Sequence, residues 1–101
     1  MVVRERSCVV LCVLLWEREG HLGGVIAYEA GVLPLMAELG GSVHRRFQSQ
    51  GGTDESVEIQ VLSFPAEENL TAYMNDERRS TVTWQRDRSV ARTQVLRGTV
   101  I

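Results

Sequence analysis

The sequence predicts an α+β domain with its elements in the order β-α-β-β-α-β. Three observations carry that order. An apolar run over residues 7–16 stands near the start of the chain. A helical repeat of apolar residues then stops at a double glycine and runs straight into a strand, all within residues 28–47. Last, an alternating strand over 57–64 is halted by Pro65 and followed by an acidic helix start at Glu67 and Glu68.

Residues 7–16 read as the first strand, whose continuous apolar character suits a central strand buried on both faces. Arg4 and Arg6 ahead of CVVLCVLLW loosely mimic a secretion signal. The run is too short to span a bilayer, however, and it meets Trp16-Glu17-Arg18-Glu19 with no small-residue cleavage site. A buried strand is the better reading. Residues 17–20 make a polar turn. The first helix is expected over 21–39, with Leu22, Ile26, Leu33 and Met36 forming its apolar arc. Gly23 and Gly24 weaken its first turn. Pro34 removes a backbone donor to residue 30 and predicts a kink near residues 31–34. Gly40 and Gly41 supply the left-handed backbone that commonly ends a helix.

The second strand covers 42–49, where simple alternation puts His44 on the face opposite Val43 and Phe47. A polar, glycine-bearing hairpin connection follows over 50–56. In the third strand, 57–64, Val57, Ile59 and Val61 share one side, and Glu58, Gln60 and Leu62 the other. Pro65 opens a helix whose Glu67 and Glu68 favour its N-terminus, with Leu70, Tyr73 and Met74 as the apolar stripe. Asn75-Asp76 marks a break or cap before a second helical piece over 77–88. Residues 89–101 contain the fourth strand, with Val90, Val95, Leu96, Val100 and Ile101 at apolar positions.

This order is the split βαβ pattern of ferredoxin-like folds: a four-stranded antiparallel sheet with both helices on one face. Val, Ile, Phe and Cys side chains remain on the other face, with no helix left to cover them. An exposed apolar sheet face is a partner site. Face-to-face pairing with a second copy would bury it and make a dimeric α/β barrel, so the expected partner is the chain itself.

At 101 residues the chain is one domain, small enough for oligomerisation to help it. Its 44% hydrophobic and 24% charged residues are those of an ordinary soluble globular protein. A net charge of −2 gives no general pull on nucleic acid or anionic membrane, and neither is an expected partner. Cys8 and Cys12 sit four residues apart on one strand, with Cα atoms about 13 Å apart, beyond disulfide reach. Buried thiols in a reducing cytoplasm are the expected state.

A family likeness rests on particular residues. They are the tyrosine-bearing helix with Pro34-Leu35, Gly40-Gly41 leading into a strand with Arg45 and Arg46, and Phe64-Pro65 before an acidic helix with Ala72-Tyr73. Over residues 7–98 these landmarks resemble an uncharacterised family of small dimeric α/β-barrel proteins. That family is related to the antibiotic-biosynthesis monooxygenases, the muconolactone-isomerase-like proteins and the stress-responsive barrel proteins. The chain departs from the pattern in its long polar loop at 49–56 and in Trp84. The resemblance implies a homodimer and, if the protein is an enzyme, oxidation or isomerisation without a cofactor.

Glu29 is the sharpest candidate. At about 100° per residue it projects near the middle of the apolar arc. A carboxylate there needs a partner or a raised pKa, and either marks a pocket. Alternatively, Gly31 and Pro34 distort the helix and turn Glu29 to solvent or to an arginine. His44 is either a pocket residue, acting as general base or holding a substrate oxygen, or a hydrogen-bonded member of a sheet or dimer surface. Tyr28, Tyr73, Trp16 and Trp84 either line a cavity or fill core. The arginines at 45–46, 78–79, 86 and 88 are surface charge or a site for a carboxylate-bearing ligand, with Arg46 the candidate contact. His21 reads as solvated, and the histidines and cysteines make no zinc spacing. No phosphate-binding glycine loop, nucleophile elbow or basic-aromatic nucleic-acid platform is present.

The resulting expectation is a cytoplasmic homodimer that binds a small organic molecule and uses no cofactor. Glu29 or His44 would handle protons, and Tyr28, Trp84 and Arg46 would shape the substrate site. The alternative is a non-catalytic ligand-binding or assembly module.

Overall fold

The computed structural model describes residues 8–101 apart from 22, 51 and 53. Arg4 and Arg6 of the signal-like segment, Leu22 of the expected helical arc, and Gly51 and Thr53 of the hairpin connection therefore lie outside the described residues. The elements are β1 (Val9–Glu17), α1 (Gly24–Glu38), β2 (Ser42–Gln48), β3 (Glu58–Phe64), α2 (Glu67–Met74), α3 (Glu77–Ser80), α4 (Thr83–Ser89) and β4 (Val90–Arg97). The strands form one antiparallel sheet in the order β2-β3-β1-β4, the ferredoxin-like arrangement.

The pleat divides the sheet's residues between two layers. Val9, Leu11, Val13 and Leu15 of β1 and Leu62 and Phe64 of β3 are buried and join the helices in the core. From α1 the core takes Val25, Tyr28, Val32, Leu33 and Met36. Tyr73 of α2 sets its ring 5.7 Å from that of Phe64. The opposite face presents Val10, Cys12, Leu14, Ile59 and Val61, half-buried in the single chain. Phe47 and Leu96 stand beside them, exposed. β1 is thus central as expected, but only one of its faces is buried; the two-sided burial inferred from its apolar run is not present.

Local chemistry explains the helix limits. α1 starts at Gly24 and continues through Pro34; Pro34 and Ala30 are both exposed, so the carbonyl that Pro34 leaves unpaired is on the wet side. At its C-terminus the Gly40 N–H donates to Ala37 O at 3.3 Å and the Gly41 N–H to Met36 O at 2.8 Å. That pair of bonds, with Gly40 at φ 89°, is a Schellman ending. Asp76 caps α3 by accepting from the Arg78 N–H at 2.8 Å. The helical piece expected over 77–88 is two short helices. Ser80 Oγ donates to Glu77 O and Thr81 Oγ1 to Arg78 O, claiming carbonyls near the break at 81–82. Val100 and Ile101 lie beyond β4 and are exposed.

One correction to the sequence reading is positional. Val43 pairs with Leu62 and Arg45 with Val61, so His44 is an extra residue in β2, a bulge. His44 therefore shares the helix-free face with Phe47, contrary to simple alternation, while Val43 turns to the helix face.

Gly41 is also required by packing, since a Cβ there would lie 2.8 Å from the Phe64 ring and 2.9 Å from Met36 Cε. Gly41→Ala is expected to lower stability by about 1–3 kcal/mol. Gly31→Ala, at a helical site with nothing within 4 Å of the new methyl, should raise it by ~0.5–1 kcal/mol. Urea midpoints of the two variants check both signs.

Candidate functional site

The third strand turns unlike groups toward the helices. Leu62 and Phe64 are core, so the pleat places Gln60 and Glu58 beneath the helices as well, each with 1% of its surface exposed. Two buried polar side chains must be matched there. Arg46, opposite Gln60 in β2, donates from Nε to Glu58 Oε2 at 2.7 Å and from Nη2 to Oε1 at 2.9 Å. This two-pronged ion pair meets both oxygens of the carboxylate. The Gln60 Nε2 amide then donates to Glu58 Oε2 at 2.8 Å and to Glu29 Oε1 at 2.9 Å. Both neighbours are acceptors, which fixes which way the amide faces.

Glu29 reaches this network from α1. It is buried, accepts the one Gln60 bond, and has no salt bridge among the described residues. Burial pushes its carboxyl pKa up; the Gln60 bond opposes this, the nearby Glu58 charge adds to it, and the Arg79 and Arg46 charges oppose it, with the net shift upward. The two carboxylates thus sit in contrasting surroundings. Glu58 is neutralised by an arginine, whereas Glu29 meets an uncharged amide.

A cavity of about 470 Å³ lies between sheet and helices, and Glu29 and Gln60 are in its wall. Leu11, Val13, Leu62, Phe64, Leu33 and Leu70 make much of the remaining surface apolar. Its phenols come from Tyr28 and Tyr73. Burial raises both phenol pKa values, that of Tyr73 to about 12, so both remain hydrogen-bond donors at neutral pH. Thr93 and Val95 of β4 line the side away from β2.

The structure brings Tyr28 and Glu29 together in this cavity and leaves the other three expected site residues outside it. His44 lies on the helix-free face, where its Nε2 shares a 2.7 Å hydrogen bond with Ser63 Oγ. Trp84 is 62% exposed and borders a shallow groove with His21 and Arg88. Arg46 is engaged by Glu58. Sequence reasoning did not single out Glu58 and Gln60, although their alternation with Leu62 and Phe64 marks them as core-facing. Among the described residues there is no cluster of three or more His, Cys, Asp or Glu able to hold a metal ion, and no helix long and apolar enough to cross a membrane.

Fold and site together define a small ferredoxin-like α+β protein with a cavity between its sheet and helices. No protein-family model and no curated protein matches the chain. Solved structures do resemble it. A protein of unknown function from Rhodopseudomonas palustris superposes with a TM-score of 0.75 at 18% identity, covering 97% of this chain and 85% of that one. A NIPSNAP family protein of unknown function from Agrobacterium tumefaciens gives 0.72 at 10% identity, covering 97% and 92%. A DABB family protein with a ferredoxin-like fold from Mesorhizobium loti gives 0.66 at 9% identity, covering 93% and 97%. The fold is the one these proteins share, in line with the small ferredoxin-like proteins that the sequence landmarks resemble.

The raised pKa of Glu29 has a consequence for stability. A carboxyl that binds its proton more tightly folded than unfolded favours the fold fully below the ordinary carboxylate pKa. That contribution is lost as pH rises from the ordinary to the raised value. Glu29→Gln removes the titration and keeps an oxygen for Gln60. The variant should therefore gain stability relative to the parent across that window and hold the gain at neutral pH. Urea titrations at pH 4 to pH 8 in steps of about one unit check this; a constant difference would show that Glu29 titrates normally.

Proposed function

We propose that the protein is a homodimer that binds a small organic molecule in the cavity of each subunit and moves a proton on it with Glu29. The carrying observation is the buried Glu29 carboxyl, without an ion-pair partner among the described residues, in a largely apolar wall with two protonated phenols. A raised pKa makes a carboxylate a stronger base and brings it closer to neutrality, where proton transfer in both directions is efficient. In the reaction Glu29 takes a proton from a carbon next to a carbonyl, and the C–H electron pair moves onto the carbonyl oxygen as an enolate. A phenol O–H donates a hydrogen bond to that oxygen. Where a carbon–carbon double bond is conjugated with the enolate, return of the proton to its far (γ) carbon shifts that double bond and completes an isomerisation with no net redox change and no cofactor. The same first step serves cofactor-free oxygenation with molecular oxygen as co-substrate. One electron passes from the carbanion to oxygen, and the two radicals join as a carbon-bound peroxide. The peroxide is protonated, and at a carbon that still bears hydrogen its loss of water leaves a new carbonyl.

The helix-free face supports the dimer. Val10, Cys12, Leu14, Ile59, Val61, Phe47 and Leu96 form a continuous apolar surface that a second copy's equivalent face would cover. Cys8 and Cys12 carry free thiols, which suits a reducing cytoplasm.

Two measurements test the reading. Val61→Arg places a charge at the centre of that face and leaves the cavity wall untouched; sedimentation should turn from dimer to monomer. A parent that already sediments as a monomer at micromolar concentration removes the dimer. For the chemistry, small carbonyl compounds with activated C–H bonds are incubated with the protein in deuterium oxide and followed by proton NMR. Protein-dependent exchange should fall by about 10²–10⁴-fold in Glu29→Gln. Ligand binding without exchange in either protein would favour a non-catalytic binding module.

A further inference from the structure

The cavity holds two guanidinium groups that the proton chemistry does not use. Arg79 and Arg86 both line it, and neither has a carboxylate partner among the described residues. The contrast with their neighbours is sharp. Arg46 is paired with Glu58, Arg97 with Glu67, and Arg78 with both Asp76 and Glu38. Asp76 is the lining carboxylate closest to Arg79 in sequence, and Arg78 holds both its oxygens. It is thereby committed elsewhere.

Arg86 has one hydrogen bond, from Nη2 to Thr93 Oγ1 at 2.9 Å. Arg79 meets neutral groups, the Tyr28 and Tyr73 phenols among them, and its charge also acts at Glu29. Its guanidinium carbon lies 4.6 Å from the centre of the Tyr73 ring. Its Nη1 reaches the Met74 carbonyl oxygen and the Met74 sulfur only at 3.4 Å each. Its Nε is shut off from solvent and meets no acceptor among the described residues. A charged donor left in that state costs stability unless something else supplies the acceptor. A guanidinium next to an aromatic ring keeps its in-plane donor fork, whose geometry matches a carboxylate. Both charges act at the Tyr28 phenol, where they oppose the effect of burial, so they fall in one region of the cavity.

Resting on the reading that this cavity is the ligand site, we infer that its ligand is a small carboxylic acid with an apolar body, anchored through its carboxylate by Arg79 with Arg86. The leucine, valine and phenylalanine surfaces take the body, and the guanidinium groups take the charge. Glu29, whether protonated or not, brings no positive charge to an anion, so the charge of the ligand falls to the arginines. The ligand class is thus set by what the wall lacks among the described residues: a carboxylate for Arg79.

The test compares acids with their uncharged isosteres on the full chain. Phenylacetate and naphthylacetate are titrated against phenylacetamide and naphthylacetamide, with binding located by amide NMR shifts at cavity residues such as Tyr73 and Thr93. The acids should bind about tenfold or more tighter than the amides, and added salt should narrow the gap. Arg79→Gln should abolish the preference and Arg79→Lys retain part of it, with urea midpoints confirming that each variant folds. Arg86→Gln, which leaves the Tyr73 contact in place, should weaken the acids selectively. Amides binding as tightly as acids would overturn the carboxylate inference and leave the pocket standing. So would an acid preference unchanged in both Arg79→Gln and Arg86→Gln. Failure of all four probes to shift the cavity amides at millimolar concentration would remove the pocket reading, and this inference with it.

Discussion

The Glu58 carboxylate buried beneath the helices is the constraint on which the site depends. A charge held at 1% exposure requires a counter-charge and hydrogen bonds to both oxygens. Arg46 provides these only because β2 carries an extra residue. Without the bulge, the pairing of Ser42 with Ser63 and Val43 with Leu62 would continue to put Arg46 opposite Ile59, on the helix-free face. The insertion at His44 moves Arg46 opposite Gln60 and within reach of Glu58. It also leaves His44 beside Ser63 and Phe47 on the outer face. One additional residue thus decides which side of the sheet receives the guanidinium, and with it whether Glu58 is tolerable in the core.

What Arg46 does for Glu58 it does not do for Glu29. Gln60 bonds both carboxylates, yet an amide donates hydrogen bonds without supplying a charge. Position is thereby separated from neutralisation. Glu29 is held in place, while burial and the adjacent Glu58 charge keep its proton affinity high. Setting one carboxyl against a guanidinium and the other against an amide gives one residue type two different surroundings. A second arginine at position 60 would have neutralised both carboxylates and left no acid-base group in the cavity.

The parts of this arrangement that were legible in the sequence are those set by local chemistry. The element order follows from periodicity, and the end of α1 from Gly40 and Gly41. Glu29 could be placed on the buried arc because helical angles accumulate predictably along 15 residues. Even so, the arc itself is centred on Val25, Val32 and Leu33, with Ile26 only half-buried. The helix break at 81–82 was hidden because hydroxyl groups bonding to nearby carbonyls leave no glycine or proline as a signal. His44 was misplaced for a related reason: a bulge is a property of two paired strands and has no marker in one of them. Glu58 and Gln60 were readable as core-facing, but their match to Arg46 depended on that same cross-strand register. Trp84 and Arg79 follow from how α3 and α4 divide, which puts the indole on the surface and a guanidinium in the cavity.

The sheet then separates two tasks across the thickness of one pleated layer. Leu11, Val13, Gln60 and Leu62 face the cavity, and their immediate neighbours Cys12, Leu14, Ile59 and Val61 face outward. No residue of β1 or β3 can serve both sides, because successive side chains point in opposite directions. In the proposed dimer, packing of the outer face would restrict the twist of the two central strands, β1 and β3, the second of which carries both Glu58 and Gln60. Pairing would therefore stiffen the floor of the cavity without contributing an atom to its lining. In that dimer the apolar outer face would have a role in the site as well as in pairing, lending a small core the rigidity that a buried carboxylate pair needs.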